Sequence, residues 1–411
     1  MNNINQLLVQ TIAARDTADW SSFNQCKEQL LKENSYYLET VESQEDLLEL
    51  ALLIFEHSDF HSRWEVAKVF KRLGSVAIPK LVEILSDDTL DEELRWYAVR
   101  ILGELKNESA IPVLIELIQT DDSEELKSMA SVALGQLGSK AILSLSSLLA
   151  DSDTRFLATQ ALCYIRNKET ILPLLSVAED FQVAVRVAAI EALSSFHDSR
   201  VLAVLLRSLD DESAQVRRTV VTGLGYRRDL HNSELDLVAL LQPKLYDCDS
   251  RVASAAVVAL SRMGDDAAAH HLYQFLLSQK APLQLQIETI RALTWVGTIS
   301  GLEYLQQALN IIRSQTLCEQ IVTVLGRVQQ SDLIHKAADI LLEMLHQKHP
   351  ACSIDTVRSA IALSLGQLGR VDAVEALTTL LNDSNTQVRL HALAALKNLA
   401  PDKHWNLETI S

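Results

Sequence analysis

Apolar residues recur at fixed offsets in phrases such as QVRLHALAAL and ELRWYAVRIL, each of which contains a basic residue near its start. If that arginine (Arg389 or Arg95) is position 0, a small or apolar residue follows at +3, leucine at +7 and often another apolar residue at +10. These offsets trace one stripe of an α-helix. The pattern therefore predicts an amphipathic helix, here called helix B, in every copy of the phrase.

The phrase occurs about eleven times, mostly at intervals of 31 to 34 residues. The predicted position-0 residues are Arg63, Arg95, Lys127, Arg155, Arg186, Arg217, Ala253, Gln286, Cys318, Arg358 and Arg389. A second amphipathic stretch, helix A, precedes each copy, as in residues 77–88 and 110–122, and Asp-rich turns separate the two helices. Each helical pair has an apolar side that it cannot bury alone, so we expect the pairs to stack into an all-α solenoid.

The Asp turn followed by Val-Arg, Ala and Ala-Leu resembles the HEAT-like repeat in its short form, over about residues 61–400. The resemblance implies that turn acids and helix B arginines form a charge ladder along the stack. The pairs expected on this basis are Asp153 with Arg155, Asp210 or Asp211 with Arg217, and Asp383 with Arg389.

Residues 1–60 contain helical stretches without the phrase and are expected to form an atypical helical cap that covers the first core face. Residues 346–356 (HQKHPACSIDT) are expected to be a loop insertion in the repeat region, and residues 401–411 a short tail.

The composition narrows the classes of partner and compartment. A formal net charge of −17 disfavours nonspecific binding to nucleic acid, because the phosphate backbone would repel the chain. No long apolar run predicts membrane insertion, and no secretory signal is visible. The five cysteines are scattered without a CxxC motif, which is typical of a reducing compartment, so we expect a cytoplasmic protein.

Motifs of catalysis and of phosphate or nucleotide binding are missing from the sequence, which favours a nonenzymatic protein without a cofactor. His346, His349 and Cys352 have the best spacing for a metal, but a proline intervenes and only Asp355 offers a fourth ligand. His270 and His271 are adjacent on a predicted helix, so their side chains diverge. We therefore predict no metal site.

Helix B offsets +5 and +9 should project away from the buried stripe, towards the concave side of a solenoid. These 22 positions carry six basic and two acidic residues, although acids outnumber bases 54 to 37 in the chain. The candidate binding residues are Lys68, Arg72, Arg100, Tyr164, Tyr226, Arg262, Arg291, Trp295 and Arg327. Arginine with tyrosine and tryptophan is typical of binding hot spots, and the charge favours an acidic protein partner. Solvated helix faces also hold arginine, so an ordinary surface is the alternative.

Residues 94–105 (LRWYAVRILGEL) resemble the aromatic helix of the E/F-type phycobilin lyases, HEAT-like cyanobacterial proteins that attach or remove tetrapyrrole pigments on antenna proteins. Arg95, Trp96, Tyr97 and Ala98 match the family motif, as do Leu102 and Gly103, but Arg100 and Ile101 stand where the family has tryptophans. The resemblance implies membership in this repeat group and makes Trp96 and Tyr97 candidates for binding a bilin. The alternative is that both pack against the N-terminal cap.

Three functions therefore remain. The first is a nonenzymatic HEAT-like adaptor in a cyanobacterial photosynthetic or cofactor-assembly context. The second is a phycobilin lyase or phycobilisome chaperone whose partner is a phycobiliprotein. The third comes from a resemblance to cyanobacterial HEAT-like partners of an A-type iron–sulfur carrier, in which the carrier supplies most ligands of the cluster.

Overall fold

The computed structural model describes residues 4–33, 41–231, 235–403 and 405, and every regular element in those ranges is helical. The chain divides into two compact units, unit 1 (Met1–Val204) and unit 2 (Leu205–Ser411). The predicted all-α class is confirmed.

Unit 1 consists of paired helices, and α13 contains the residue at which the units divide. The helices up to that point are α1 (Ile4–Asp16), α2 (Trp20–Glu33), α3 (Val41–Glu56), α4 (Phe60–Leu73), α5 (Ile78–Ser86), α6 (Glu92–Leu105), α7 (Ile111–Thr120), α8 (Glu124–Leu137), α9 (Ile142–Leu148), α10 (Arg155–Tyr164), α11 (Ile171–Ser176), α12 (Val183–Leu193) and α13 (Ser199–Ser208).

Unit 2 continues the same arrangement. Its helices are α14 (Ala214–Leu224), α15 (Arg228–His231), α16 (Leu237–Leu241), α17 (Ser250–Met263), α18 (Asp266–Leu276), α19 (Leu283–Trp295), α20 (Ile299–Ile311), α21 (Gln315–Leu325), α22 (Ser331–His346), α23 (Asp355–Leu368), α24 (Val374–Leu380) and α25 (Thr386–Leu399). Short 3₁₀ helices precede several A helices, for example Gly138–Ala141 before α9 and Val371–Ala373 before α24.

The predicted frame of helix B describes the core in both units. In all eleven copies the residues at +3 and +7 are completely buried. Every predicted position-0 residue lies in a B helix, and the B helices are α4, α6, α8, α10, α12, α14, α17, α19, α21, α23 and α25. Apolar side chains at these offsets leave water together, which is the main stabilising contribution to a stack of this kind.

Successive B helices approach each other closely because small residues meet between them. A Cβ added to Gly103 would lie 2.8 Å from the Cβ of Ala133, and one added to Gly225 would lie 2.8 Å from that of Ala259. A methyl group cannot be accommodated at these distances without moving a backbone. The glycine that recurs at +8 in the phrase is therefore explained by tight helix packing within each unit.

Helix ends also follow from the sequence. Pro79 and Pro112 occupy the first turns of α5 and α7, where the missing N–H breaks no helical bond. Asn107 and Asn167 accept backbone N–H groups at the start of the 3₁₀ turns that lead into the A helices. Gly74, Gly138 and Gly369 end B helices with positive φ.

The position-0 arginines join neighbouring repeats. Arg155 pairs with Asp180 at 2.8 Å and Arg217 with Asp247 at 2.7 Å, and each aspartate lies in the turn of the next copy. Arg217 also donates to the main-chain oxygen of Asp211, in its own turn, at 2.8 Å. The planar guanidinium, with its rigid fork of donors, bridges two turns in this way better than a lysine ammonium would. A charge ladder between repeats is therefore present.

The carboxylate partners predicted for the ladder were wrong, although Arg217 and Arg389 do reach Asp211 and Asp383 through main-chain oxygens. Arg155 does not use Asp153, Asp210 accepts from Lys244 at 2.6 Å, and Arg389 donates at 2.8 Å to the main-chain oxygen of Asp383 instead of its carboxylate. The carboxylate of Asp383 binds Arg358, at 2.6 Å. Stacking brings the acid of the following turn to the arginine, while the carbonyl oxygens of its own turn occupy the nearer N–H groups.

The ends of the predicted domains differ in detail. Helices α3 and α4 pack as the first pair, so helix A of the first copy lies inside residues 1–60, and α1 packs on α3. The cap role of residues 1–60 stays a prediction. The expected loop at 346–356 is partly helical, because α22 extends through His346 and Pro350–Ser353 forms a 3₁₀ helix. Most of the predicted tail, 401–411, lies outside the described residues.

Candidate functional site

Four candidate residues at offset +9 lie at the carboxyl ends of four successive B helices in unit 2. Tyr226 follows the end of α14, Arg262 lies in the last turn of α17, Trp295 is the last residue of α19 and Arg327 follows the end of α21. Tyr226 and Trp295 are 67% and 64% exposed, which is high for aromatic side chains. With Arg291, one helical turn before Trp295, they form what we call the 226–327 strip.

The first half of the 226–327 strip borders a cavity of about 730 Å³. The guanidinium carbon of Arg262 lies 4.1 Å from the ring centroid of Tyr226, and its Nη2 donates to the tyrosine hydroxyl at 3.2 Å. Arg218 and Arg251 also line this cavity, and Glu288 is its one acidic lining residue. Glu288 accepts hydrogen bonds from Ser254 and Gln284, at 2.7 and 3.2 Å.

The second half of the 226–327 strip borders a cavity of about 450 Å³ between the ends of α19 and α21. Arg291, Trp295 and Arg327, three residues predicted separately from the sequence, all line it, together with apolar Val324 and Leu333. A cavity lined by a tryptophan and two arginines can hold an apolar group and a carboxylate at the same time.

The charges of the two arginines in this second cavity are not neutralised within the part of the chain that the structure describes. No salt bridge involves Arg291 or Arg327 there, and both are exposed. Arg251, by contrast, pairs with Asp249 at 2.7 Å, and this bond lowers the pKa of Asp249 to about 2. Unpaired guanidinium groups beside an exposed tryptophan are suited to a carboxylate-bearing partner.

The candidate residues of unit 1 are mostly satisfied internally. Lys68 pairs with Glu65 at 2.7 Å. Arg100 pairs with Glu104 at 3.1 Å and stacks on Trp64, with its guanidinium carbon 3.5 Å from the ring centroid. Arg72 is exposed. Lys68 and Arg100 therefore contact acids or a ring of their own unit, whereas Arg72 makes no such contact in the described structure.

The assignment of Tyr97 to a binding surface was wrong. Tyr97 is completely buried, packs edge to face on Phe55 with ring centroids 6.1 Å apart, and donates its hydroxyl to the main-chain oxygen of Phe60 at 3.0 Å. Trp96 is half-buried beside it. Offset +2 faces the core here, so the alternative of packing against the N-terminal helices holds for Tyr97.

Tyr164 is 63% exposed at the end of α10 and borders a cavity of about 740 Å³ in unit 1. A Cβ added to Gly135 would lie 2.8 Å from the Cβ of Tyr164. The close packing of α8 and α10 therefore fixes the backbone position of Tyr164. Cys163, in the same cavity, donates to the oxygen of Ala188 at 3.3 Å. Burial raises the pKa of its thiol to about 12, which disfavours a nucleophilic thiolate.

The histidine and cysteine candidates have structural contacts instead of a shared ligand geometry. Within the described residues no three His, Cys, Asp or Glu side chains are grouped so that they could hold a metal ion. His349 accepts the N–H of Ala351 at 3.2 Å, and Cys352 donates to the oxygen of Met344 at 3.4 Å. His346 lies at the end of α22, and His270 contacts Tyr304 at 3.2 Å.

Sequence reasoning missed three residues of these surfaces. Arg218 and Arg251 stand at offsets +1 and −2 of their copies, and Trp64 stands at +1. Offsets −2, +1, +5 and +9 are separated by three or four residues, so they share one helix face. Extending the exposed row by these offsets would have identified all three.

Comparison with known families agrees with this architecture. HEAT repeats match residues 78–157, 144–224 and 206–283, which together cover just over half of the chain. The chain therefore belongs to the HEAT-repeat family. Residues 357–383 match the PBS lyase HEAT-like repeat, which confirms the predicted kinship with the phycobilisome-lyase-like repeat group. No curated protein matches the chain.

Solved structures of similar fold are importin solenoids of low sequence identity. Kap121p bound to RanGTP is 15% identical with a TM-score of 0.58, over 88% of this chain and 45% of its own length. Kap121p bound to Ste12p is 15% identical with a TM-score of 0.55, over 97% and 45%. Yeast importin-beta (Kap95p) is 14% identical with a TM-score of 0.52, over 99% and 62%. The chain thus spans about half of these proteins, and the likeness shows the fold alone.

Among the described helices, none is both long and apolar enough to cross a membrane.

Proposed function

We propose that this chain is a nonenzymatic HEAT-repeat adaptor that binds an acidic protein partner through the 226–327 strip. The observation that carries the proposal is that Trp295, with an exposed ring, lines one cavity together with Arg291 and Arg327, which have no ion-pair partners in the described structure. Tryptophan and arginine are the residue types most enriched at binding hot spots.

The net charge of the chain supports an acidic partner recognised at this one place. With a formal charge of −17, most of the surface repels an acidic protein, so a local arginine strip gives orientation as well as affinity. The fold is compatible with this activity, since the similar importin solenoids are described in complexes with the proteins RanGTP and Ste12p.

The adaptor proposal is tested by purifying the protein with its bound partners from the native host and identifying them by mass spectrometry. The wild-type chain is compared with Arg291→Glu plus Trp295→Ala, and with Lys68→Glu as a matched charge change in unit 1. We expect acidic partners with the wild type and with Lys68→Glu, and their loss from the double variant. Full recovery with the double variant would rule out the 226–327 strip as the site.

A phycobilin lyase or phycobilisome chaperone is the second candidate, because residues 357–383 match the PBS lyase HEAT-like repeat. It has weaker support, since Tyr97 is buried and Arg100 and Ile101 replace the tryptophans of the family motif. Mixing the purified protein with phycocyanobilin tests it. A shifted visible band, retained after denaturation for a covalent adduct, would favour the lyase, and an unchanged spectrum would favour the adaptor.

A further inference from the structure

We propose that the cavity between the ends of α19 and α21 binds the carboxyl-terminal residue of the partner, through its free α-carboxylate and an apolar side chain. This inference rests on the proposed function and adds to it the chemical group by which the partner is recognised. It concerns this cavity of about 450 Å³ alone, because in the first half of the 226–327 strip Arg262 already stacks on Tyr226.

The charged residues that line this cavity have a single sign. Arg291 and Arg327 line it, and none of its described lining residues is acidic. Neither guanidinium has an ion-pair partner in the described structure. The cavity beside Tyr226 differs, since Glu288 is one of its lining residues. A guanidinium can donate two parallel hydrogen bonds to one carboxylate. The smaller cavity therefore favours a ligand with an anionic group.

The start of α22 adds main-chain donors beside the two arginines. Gln330, the residue before α22, and Leu333, in its first turn, both line the cavity. The side chain of Gln330 makes no capping hydrogen bond, and the N–H groups of Ser331 and Asp332 have no acceptor in the described structure. These donors supplement the arginines, which supply the charge. Free main-chain N–H groups are typical of sites that capture a terminal carboxylate.

Apolar side chains complete the lining of the cavity. The ring of Trp295 is exposed, Val328 is half-buried, and Val324 and Leu333 are buried beneath the surface. An apolar ligand side chain placed here would leave water together with the tryptophan ring, which stabilises the complex. The ligand that fits this lining therefore presents an anionic group and an apolar group to the same cavity.

The size of the cavity favours the end of a chain over an internal acidic residue. Its volume of about 450 Å³ is in the lower part of the range of about 300–1,000 Å³ that is usual for small-ligand sites. At a carboxyl-terminal residue the carboxylate and the side chain are attached to the same α-carbon. An internal glutamate or aspartate continues into chain on both sides, and a neighbouring residue must supply the apolar group. A terminal leucine or a similar residue is therefore the more compact ligand.

Four fluorescein-labelled peptides test the inference. GSGSGSAL is made once with a free terminal carboxylate and once as the carboxamide, and GSGSGSAS is made with a free carboxylate. GSGEALGS is made as the carboxamide, so that its carboxylate belongs to an internal glutamate. Binding to the full-length protein is measured by fluorescence anisotropy at low salt. The variant Arg327→Gln removes one guanidinium of the cavity, and Arg313→Gln, an exposed arginine outside the strip, is its control.

We expect the leucine-ended free acid to bind about tenfold more tightly than its carboxamide, because hydrogen bonds to a charged group contribute about that much. It should also bind more tightly than the serine-ended and the internal-glutamate peptides. Arg327→Gln should abolish its advantage over the carboxamide, and Arg313→Gln should keep it.

Equal affinity of the leucine-ended free acid and its carboxamide would overturn the inference. Tighter binding of the internal-glutamate peptide, lost in Arg327→Gln, would also overturn it but would leave the acidic-partner proposal standing. Equal affinity of the leucine-ended and serine-ended free acids would overturn the role of the apolar side chain. Full partner capture by the Arg291→Glu plus Trp295→Ala variant would overturn the proposed function and this inference with it.

Discussion

The two units share one repeat frame but use their exposed helix B residues differently. In unit 1, Arg100 is stacked on Trp64 and paired with Glu104, and it is 22% exposed. In unit 2, Arg291 and Arg327 are exposed beside Trp295 and form no salt bridge within the described structure. Arg100 therefore serves internal contacts, while Arg291 and Arg327 belong to an open surface. Arg262 of unit 2, stacked on Tyr226 at 4.1 Å, resembles Arg100 in this respect.

This difference shows why residue type at a given offset is insufficient to identify a binding surface. An arginine that already has an acid and a ring as neighbours must lose both contacts to bind a partner, which cancels much of the gain. An unpaired, solvated arginine loses only water. Contacts with nearby acids and rings therefore decide which arginines are available to a partner.

The largest effect is expected from reversing the two unpaired charges of unit 2. Arg291→Glu with Arg327→Glu should weaken binding of the acidic partner by about 100-fold or more, because two attractive contacts become repulsive. The measurement is isothermal titration calorimetry with the partner captured from the host. The matched change in unit 1, Lys68→Glu with Arg100→Glu, should alter affinity by less than about threefold. Equal losses of affinity from both pairs of substitutions would show that the two units do not differ in partner binding.

The charge ladder provides a stability comparison, because it is present in both units. Asp180→Asn in unit 1 and Asp247→Asn in unit 2 each leave a guanidinium partly buried without its acid, and each should lower the free energy of unfolding by about 1–3 kcal/mol. Urea denaturation followed by circular dichroism measures this, and partner affinity should stay unchanged. A loss of stability in only one of the two variants would show that the ladder stabilises that unit alone.

Removing one tryptophan ring from each unit should have a smaller effect than the charge reversals. Trp295→Ala removes an exposed ring of the 226–327 strip and should weaken partner binding about tenfold with little change in stability. Trp64→Ala removes the ring under Arg100 and should leave partner affinity unchanged while lowering stability by about 1 kcal/mol. Partner affinity and melting temperature are measured for both variants. A loss of affinity in Trp64→Ala would place the binding surface in unit 1.

The smallest expected effect is a dependence of stability on acid pH. Hydrogen bonds from Arg217 hold the pKa of Asp247 below its ordinary value of 3.8, and Arg358 lowers the pKa of Asp383 in the same way. The folded state therefore binds fewer protons than the unfolded state in this range, so the stabilisation is complete above pH 3.8 and is lost as the pH falls through the lower folded value. The difference in urea midpoint between wild type and Asp247→Asn should decrease as the pH is lowered from 6 to 3. A difference in midpoint that does not change with pH would show that ionisation of Asp247 is not its cause.

The core could be predicted from the sequence because it depends on a local pattern. Residues at +3 and +7, such as Ala98 and Leu102, are buried in every copy, since a helix that exposes one apolar stripe must bury it against its neighbours. The partners of the ladder could not be predicted in the same way. Asp180 lies 25 residues from Arg155, and only the stacking of repeats brings them together.

The candidate site was predicted in part for a similar reason. Offsets +5 and +9 located Arg291, Trp295 and Arg327, because exposure on a helix follows from periodicity. Whether an arginine is already paired depends on neighbouring elements, as Trp64 and Arg100 illustrate. Tyr97 was misplaced because its assignment came from a family motif, while its offset of +2 faces the core at this end of the chain.

Site-directed photo-crosslinking from Trp295 is the most direct test of the claim that the open surface of unit 2 holds the partner. A photoreactive phenylalanine analogue is placed at Trp295 and, as a control of similar exposure in unit 1, at Phe181, which are 64% and 72% exposed. We expect an adduct with the acidic partner from position 295 and none from position 181. An adduct from position 181 with none from position 295 would contradict it.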